Sequence, residues 1–100
     1  MARLELAPEV AEDFERILDY HVEHKIADAA ERIMEIVQAI DVLGSNPLIG
    51  RPASNGRREL VIGRKARGYM ALYRYVDEID TVFVLAVRSQ REAGYARSPN

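Results

Sequence analysis

At Gly44 the chain changes period. Between Pro8 and Leu43 apolar residues recur every three or four positions, whereas beyond Pro47 they alternate or run together in short stretches. Side chains return to one face every 3.6 residues on a helix and every second residue on a strand, so the switch separates a helical half from a sheet half. In the first half, Val10, Phe14, Ile17, Leu18 and His21 share helical spacing. Pro8 is tolerated in a first turn, and Glu9, Glu12 and Asp13 suit the positive end of a helix dipole. The spacing predicts a helix over 8–24. Ile26, Ala29, Ala30, Ile33, Ile36, Val37, Ile40 and Leu43 form a second stripe, with Gly44 as a left-handed stop and "SNP" (45–47) barring continuation. So short a joint predicts an antiparallel helical hairpin.

The remainder reads as sheet. "RLEL" (3–6) is a short first strand. "LIGRPASNGRR" (48–58) is a connection with a turn at Asn55–Gly56, and "RELVI" (58–62), "YMALYRYV" (69–76) and "TVFVLAVR" (81–88) are extended runs. "RKARG" (64–68) links the first two runs, and "DEID" (77–80) closes a hairpin between the last two. The tail after Arg88 holds a short helical turn at most, and its end is loose. The order is β-α-α-β-β-β, an α+β fold over 1–100 as a single domain, with the helical hairpin packed on one face of a small, mostly antiparallel twisted sheet. On the 69–76 strand, Tyr69, Ala71, Tyr73 and Tyr75 share one face, and Met70, Leu72, Arg74 and Val76 the other. On the last strand, strict alternation groups Val82, Val84, Ala86 and Arg88 against Thr81, Phe83, Leu85 and Val87. Both faces are apolar, so the face away from the helices should need a partner.

Charge divides the chain at the same place. Residues 1–50 carry four basic and eleven acidic side chains, a net −7, and residues 51–100 carry ten and five, a net +5. Such a split points to a basic half that meets something anionic, or to two halves that offset each other. There is no cysteine, no apolar stretch long enough to span a membrane and no apolar leader, which fits a soluble cytoplasmic protein.

The motifs of the common enzymes are missing: no phosphate-binding loop, dinucleotide fingerprint, nucleophile elbow or zinc-protease pattern occurs. His21 and His24 are three apart on a helix, but no second cluster would complete a metal site, and they read as helix-terminal residues part packed and part solvated. Glu12, Asp13 and Glu15, then Asp28, Glu31 and Glu35, read as the solvated faces of two amphipathic helices. What remains is an arginine-rich second half interleaved with Tyr69, Tyr73, Tyr75 and Tyr95. Guanidinium groups give a planar fork to carboxylate or phosphate, so Arg58, Arg64, Arg67, Arg74, Arg88, Arg91 and Tyr95 are the candidate binding residues.

The short first strand and helical hairpin, "LGSNPLIGRP", "RREL", a Gly-Tyr opening a strand that ends in "LYRY", and the closing "VRSQREAGY" together resemble the RelE/ParE family of bacterial type II toxins over about residues 3–95. The resemblance implies a small cytoplasmic toxin, without cofactor or metal, neutralised by a cognate antitoxin that wraps its sheet. RelE-like members cut mRNA on the ribosome with cationic side chains and a tyrosine or histidine; ParE-like members are associated with inhibition of DNA gyrase. Where the ribonucleases carry lysines before the Gly-Tyr pair, this chain has Val61 and Gly63; where an arginine follows the pair, it has Met70; near the end of the last strand it has Ser89 beside Arg88. Tyr95 matches the late tyrosine. These departures and "ALYRY" favour the ParE-like branch, a gyrase inhibitor. The alternative is a ribosome-dependent mRNA endonuclease built on Arg64, Arg74, Arg88, Arg91 and Tyr95.

Overall fold

The computed structural model describes residues 1–63 and 68–96. β1 (Arg3–Leu6) leads into α1 (Glu9–Glu23) and α2 (Ala29–Val42), followed by β2 (Arg51–Pro52), β3 (Arg58–Ile62), β4 (Tyr69–Val76) and β5 (Thr81–Ser89). The sheet runs β1-β5-β4-β3-β2, with β1 parallel to β5 and every other pair antiparallel. This is the expected α+β arrangement with one extra strand. β2 comes from the stretch read as a connection, and two residues are too few to show a period. Pro52 sits on the sheet edge, where its missing N–H costs no ladder bond.

The joint between the helices is longer than the apolar stripe suggests. Lys25 takes a left-handed conformation at φ 51°, and α1 closes with Lys25 N–H donating to Val22 O at 3.2 Å and Ile26 N–H to His21 O at 2.8 Å. That pair of bonds is a Schellman stop, so Ile26 lies in the turn rather than in α2. Gly44, expected as a left-handed stop, is not among the positive-φ residues. α2 tightens instead through Gly44 N–H to Asp41 O (3.1 Å) and Ser45 N–H to Val42 O (3.1 Å), while Gly44 O accepts from Ala2 N–H at 2.8 Å. The turn at Asn55–Gly56 forms as expected, at φ 61° and 72°.

β5 departs from strict alternation. Leu72 pairs with Ala86 but Tyr73 pairs with Val84, so Leu85 is an extra residue in a β-bulge. A bulge reverses the facing of everything beyond it. Val82, Val84 and Val87 therefore join Tyr69, Ala71 and Tyr73 in one core with Val10, Ile17, Ile36, Ile40 and Leu43 from the helices. Each valine, leucine or isoleucine among them contributes roughly 1.5–3 kcal/mol on burial. Ala86 and Arg88 turn to the opposite, open face beside Leu72 and Met70, which corrects the grouping expected from alternation alone. The centre of that face is already covered, with Met70, Leu72 and Ala86 buried. Apolar surface is left at its margins, where Val61 is exposed and Val76, Phe83 and Leu85 are half-buried.

Candidate functional site on the open sheet face

Met70 and Arg88 are direct cross-strand partners on β4 and β5. The Arg88 guanidinium lies 3.1 Å from Met70 Sδ, donates to the carbonyls of Glu92 (2.9 Å) and Ser89 (3.2 Å), and stacks 5.2 Å from the centre of the Tyr95 ring. The Tyr95 hydroxyl donates to Glu59 Oε2 at 2.7 Å, and Glu59 Oε1 accepts from Arg51 at 3.2 Å. A continuous chain of side chains thus crosses the open face from β2 to β5. Burial and the Glu59 carboxylate push the Tyr95 pKa well above the ordinary tyrosine range, so its oxygen stays protonated and acts as a donor. Arg74 lies farther along the same face, half-buried, across from Phe83.

The other proposed arginines do not converge here. Arg58 faces the helix side and donates to Gly50 O (2.7 Å) and Leu48 O (3.3 Å), fixing the loop before β2. Arg91 turns to α1, where it bonds the Tyr20 hydroxyl and stacks 5.0 Å from that ring. Arg64 and Arg67 lie outside the described residues. Of the candidate set, the open face therefore assembles Arg74, Arg88 and Tyr95, with Glu59 as an acidic member that the sequence did not single out.

Asp13, read as solvent-facing, and His21, read as part packed and part solvated, are both buried. Asp13 is 1% exposed; its Oδ2 accepts from Val87 N–H at 3.0 Å and its Oδ1 from Arg16 at 2.8 Å. It falls three residues after Val10 and four before Ile17, so its spacing placed it on the apolar stripe and only its charge argued otherwise. His21 is 3% exposed, with Nε2 at 2.9 Å from the Tyr69 hydroxyl, whereas His24 is exposed and stacks on Tyr20. Among the described residues no group of His, Cys, Asp and Glu could hold a metal ion, and no helix is long and apolar enough to cross a membrane.

The open sheet face thus carries arginines over an apolar floor and is backed by the helical hairpin. The sequence profile of the ParE toxin of the type II toxin–antitoxin system parDE matches residues 4–94. The chain belongs to this ParE toxin family. Solved structures share the fold. A chain of the chromosomal ParDE system of P. aeruginosa is 23% identical, with a TM-score of 0.72, and the match covers 89% of this chain and 96% of that one. One from the toxin–antitoxin complex RelBE2 of Mycobacterium tuberculosis is 22% identical, with a TM-score of 0.61, covering 89% and 98%. A free double arginine-to-alanine variant of the E. coli toxin RelE is 17% identical, with a TM-score of 0.51, covering 89% and 84%. No curated protein sequence matches the chain.

Proposed function

We propose that this chain is a ParE-type toxin that inhibits DNA gyrase by binding it, and that a cognate antitoxin neutralises it by covering the open sheet face. The observation that carries this reading is Met70 beneath Arg88. Cleaving RNA without a metal needs a base for the ribose 2′-hydroxyl, cations around the phosphorus and an acid for the leaving oxygen. On this face Met70 stands at the centre, Arg88 already serves two carbonyls, and the Tyr95 hydroxyl is held protonated by a carboxylate. A tyrosine whose pKa is raised is a weaker acid for the leaving oxygen, and Glu59 opposes the approach of a phosphate. The same surface suits a protein partner. Val61, Phe83, Leu85 and Val76 give apolar margins and Arg74 a cation, which fit an amphipathic helix or extended segment bearing acids. The structural neighbours from P. aeruginosa and M. tuberculosis come from toxin–antitoxin systems, which supports such a partner. The reading places the protein in the cytoplasm, where gyrase works.

Expression of the chain alone in bacteria tests the proposal. Arrested growth should come with altered plasmid supercoiling and intact messages, and the product of the neighbouring gene should restore growth. Messages cut on the ribosome with unchanged plasmid topology would favour the endonuclease reading, carried by Arg74, Arg88 and Tyr95. Normal growth with neither effect would mark a toxin that has lost its activity.

A further inference from the structure

A shallow cleft of about 520 Å³ lies between the loop after α2 and the end of β4, with Pro47, Leu48 and Ile49 on one side and Tyr75 and Asp77 on the other. Leu48 and Ile49 are 60% and 56% exposed, and Ile79, in the turn that continues from Asp77, is 60% exposed. Tyr75 packs against the core on the helix side of β4, so the cleft is separate from the open face that carries Met70 and Arg88. The loop that presents Leu48 and Ile49 is fixed from beneath. The Tyr73 hydroxyl donates to Pro47 O at 2.8 Å, and Arg58 donates to Leu48 O at 3.3 Å and Gly50 O at 2.7 Å. Ile49 N–H closes the turn onto Asn46 O at 3.1 Å. On the opposite wall the Tyr75 hydroxyl donates to Asp80 Oδ1 at 2.7 Å, which ties that ring to the turn between β4 and β5. A contact surface ordered before its partner arrives loses less entropy on binding.

The charge around the cleft selects its occupant. Asp77, Glu78 and Asp80 are exposed acids in one tight turn beside it. α2 ends at Val42 with no basic residue in its last turn, and Asn46 N–H donates back to Val42 O at 3.0 Å. The negative end of that helix dipole therefore meets the same loop. Arg58 lies behind the loop, and the two carbonyls it serves hold it there. A negative rim repels phosphate, which sets nucleic acid aside. Two copies of the chain meeting face to face here would bring the acids of one turn against those of the other. The complementary occupant is apolar at its centre and basic at its edge.

We propose that this cleft docks a segment of another protein that carries a leucine or aromatic anchor flanked by lysine or arginine. The anchor packs between Ile49 and Tyr75, and the flanking cations meet Asp77 and Glu78. The site does not depend on the gyrase reading, and a partner confined to the open face leaves it uncovered.

The test titrates the whole chain, with leucine and isoleucine methyl groups labelled by carbon-13, against the synthetic peptide acetyl-Lys-Leu-Phe-Leu-Lys-amide. Acetyl-Glu-Leu-Phe-Leu-Glu-amide and acetyl-Lys-Ser-Gly-Ser-Lys-amide are the controls. The Leu48 and Ile49 methyl signals should shift to saturation with the first peptide. The controls, one without cations and one without an anchor, should bind about tenfold more weakly. Ile49→Ser should weaken the first peptide by about tenfold and Asp77→Asn by about threefold, whereas Val22→Ser, exposed on α1, should leave it unchanged. Ile49 is exposed and its loop is held through backbone groups, so its variant should fold. Sedimentation of the chain alone should show no association that Ile49→Ser abolishes. No saturable shift at Leu48 or Ile49, the acidic peptide binding as tightly as the basic one, unchanged affinity in Ile49→Ser, or self-association lost in that variant would overturn the proposal.

Discussion

Val87 has both its outward backbone groups bound by side chains of α1. Its N–H donates to Asp13 Oδ2 and its carbonyl accepts from Arg16 Nη2 at 3.1 Å. β1 pairs with β5 only along Thr81–Val84, so beyond that point the helix supplies what a neighbouring strand would have given. Arg16 also reaches Glu92 at 2.8 Å, which ties the turn after β5 to the same helix. Asp13→Ala leaves the buried Val87 N–H without a partner and removes one of the groups that hold Arg16, and should lower stability by about 1–3 kcal/mol, read from the urea midpoint. Asp13→Asn, whose amide oxygen still accepts from Val87, should lose less. His21 makes a second prediction. Its pKa lies below 6.5 in the native state, so as pH falls below 6.5 the unfolded chain takes up a proton that the native one refuses. The stability held above that pH should therefore decline as the pH falls below 6.5. His21→Gln, which keeps an acceptor for Tyr69, should flatten that part of the profile in urea titrations. His21 was read on the apolar stripe and Asp13, by its charge, on the solvated face; the burial of both depends on Tyr69 and Val87, far away in the chain.

Among the elements, the loop before β2 and the middle of β4 explain each other. Tyr73 is fully buried, its hydroxyl accepting from Gly50 N–H and donating to Pro47 O, both at 2.8 Å. A Cβ on Gly50 would lie 2.7 Å from the Tyr73 ring and 2.8 Å from Glu59 O, so only glycine fits there. Here is a physical reason for "LIGRP" and "LYRY" to occur in one sequence. Tyr73→Phe keeps the packing, orphans the Gly50 N–H, and should cost about 1–2 kcal/mol by thermal or urea unfolding. Gly50→Ala should cost more than Tyr73→Phe in the same measurement, because the ring or the β3 backbone must move. The elements themselves were legible wherever a stretch was long and periodic. α1, β3, β4, β5 and the two turns around Asn55 and Asp77 fell within a residue or two of their predicted ends. The bulge at Leu85 was not legible, since one extra residue in a run of valine, leucine and alanine leaves no mark on composition. It mattered most for the site, because it alone carries Arg88 onto the open face with Met70.

At the scale of the whole molecule, the charge division persists in three dimensions. The ion pairs Asp13–Arg16, Asp28–Arg32 and Arg51–Glu59 each lie within one half of the chain, and Arg16–Glu92 joins the halves. If the antitoxin lies over the open face, Val61→Lys at its exposed margin should weaken the complex by about tenfold or more in a calorimetric titration while leaving the fold intact. We propose that the toxin acts on gyrase and does not cut RNA. A supercoiling assay with purified gyrase and relaxed plasmid, run with rising amounts of the chain, tests it most directly. Supercoiling should fall as the chain is added and return when the antitoxin is supplied; supercoiling unaffected at any concentration of folded chain would rule out gyrase as the target.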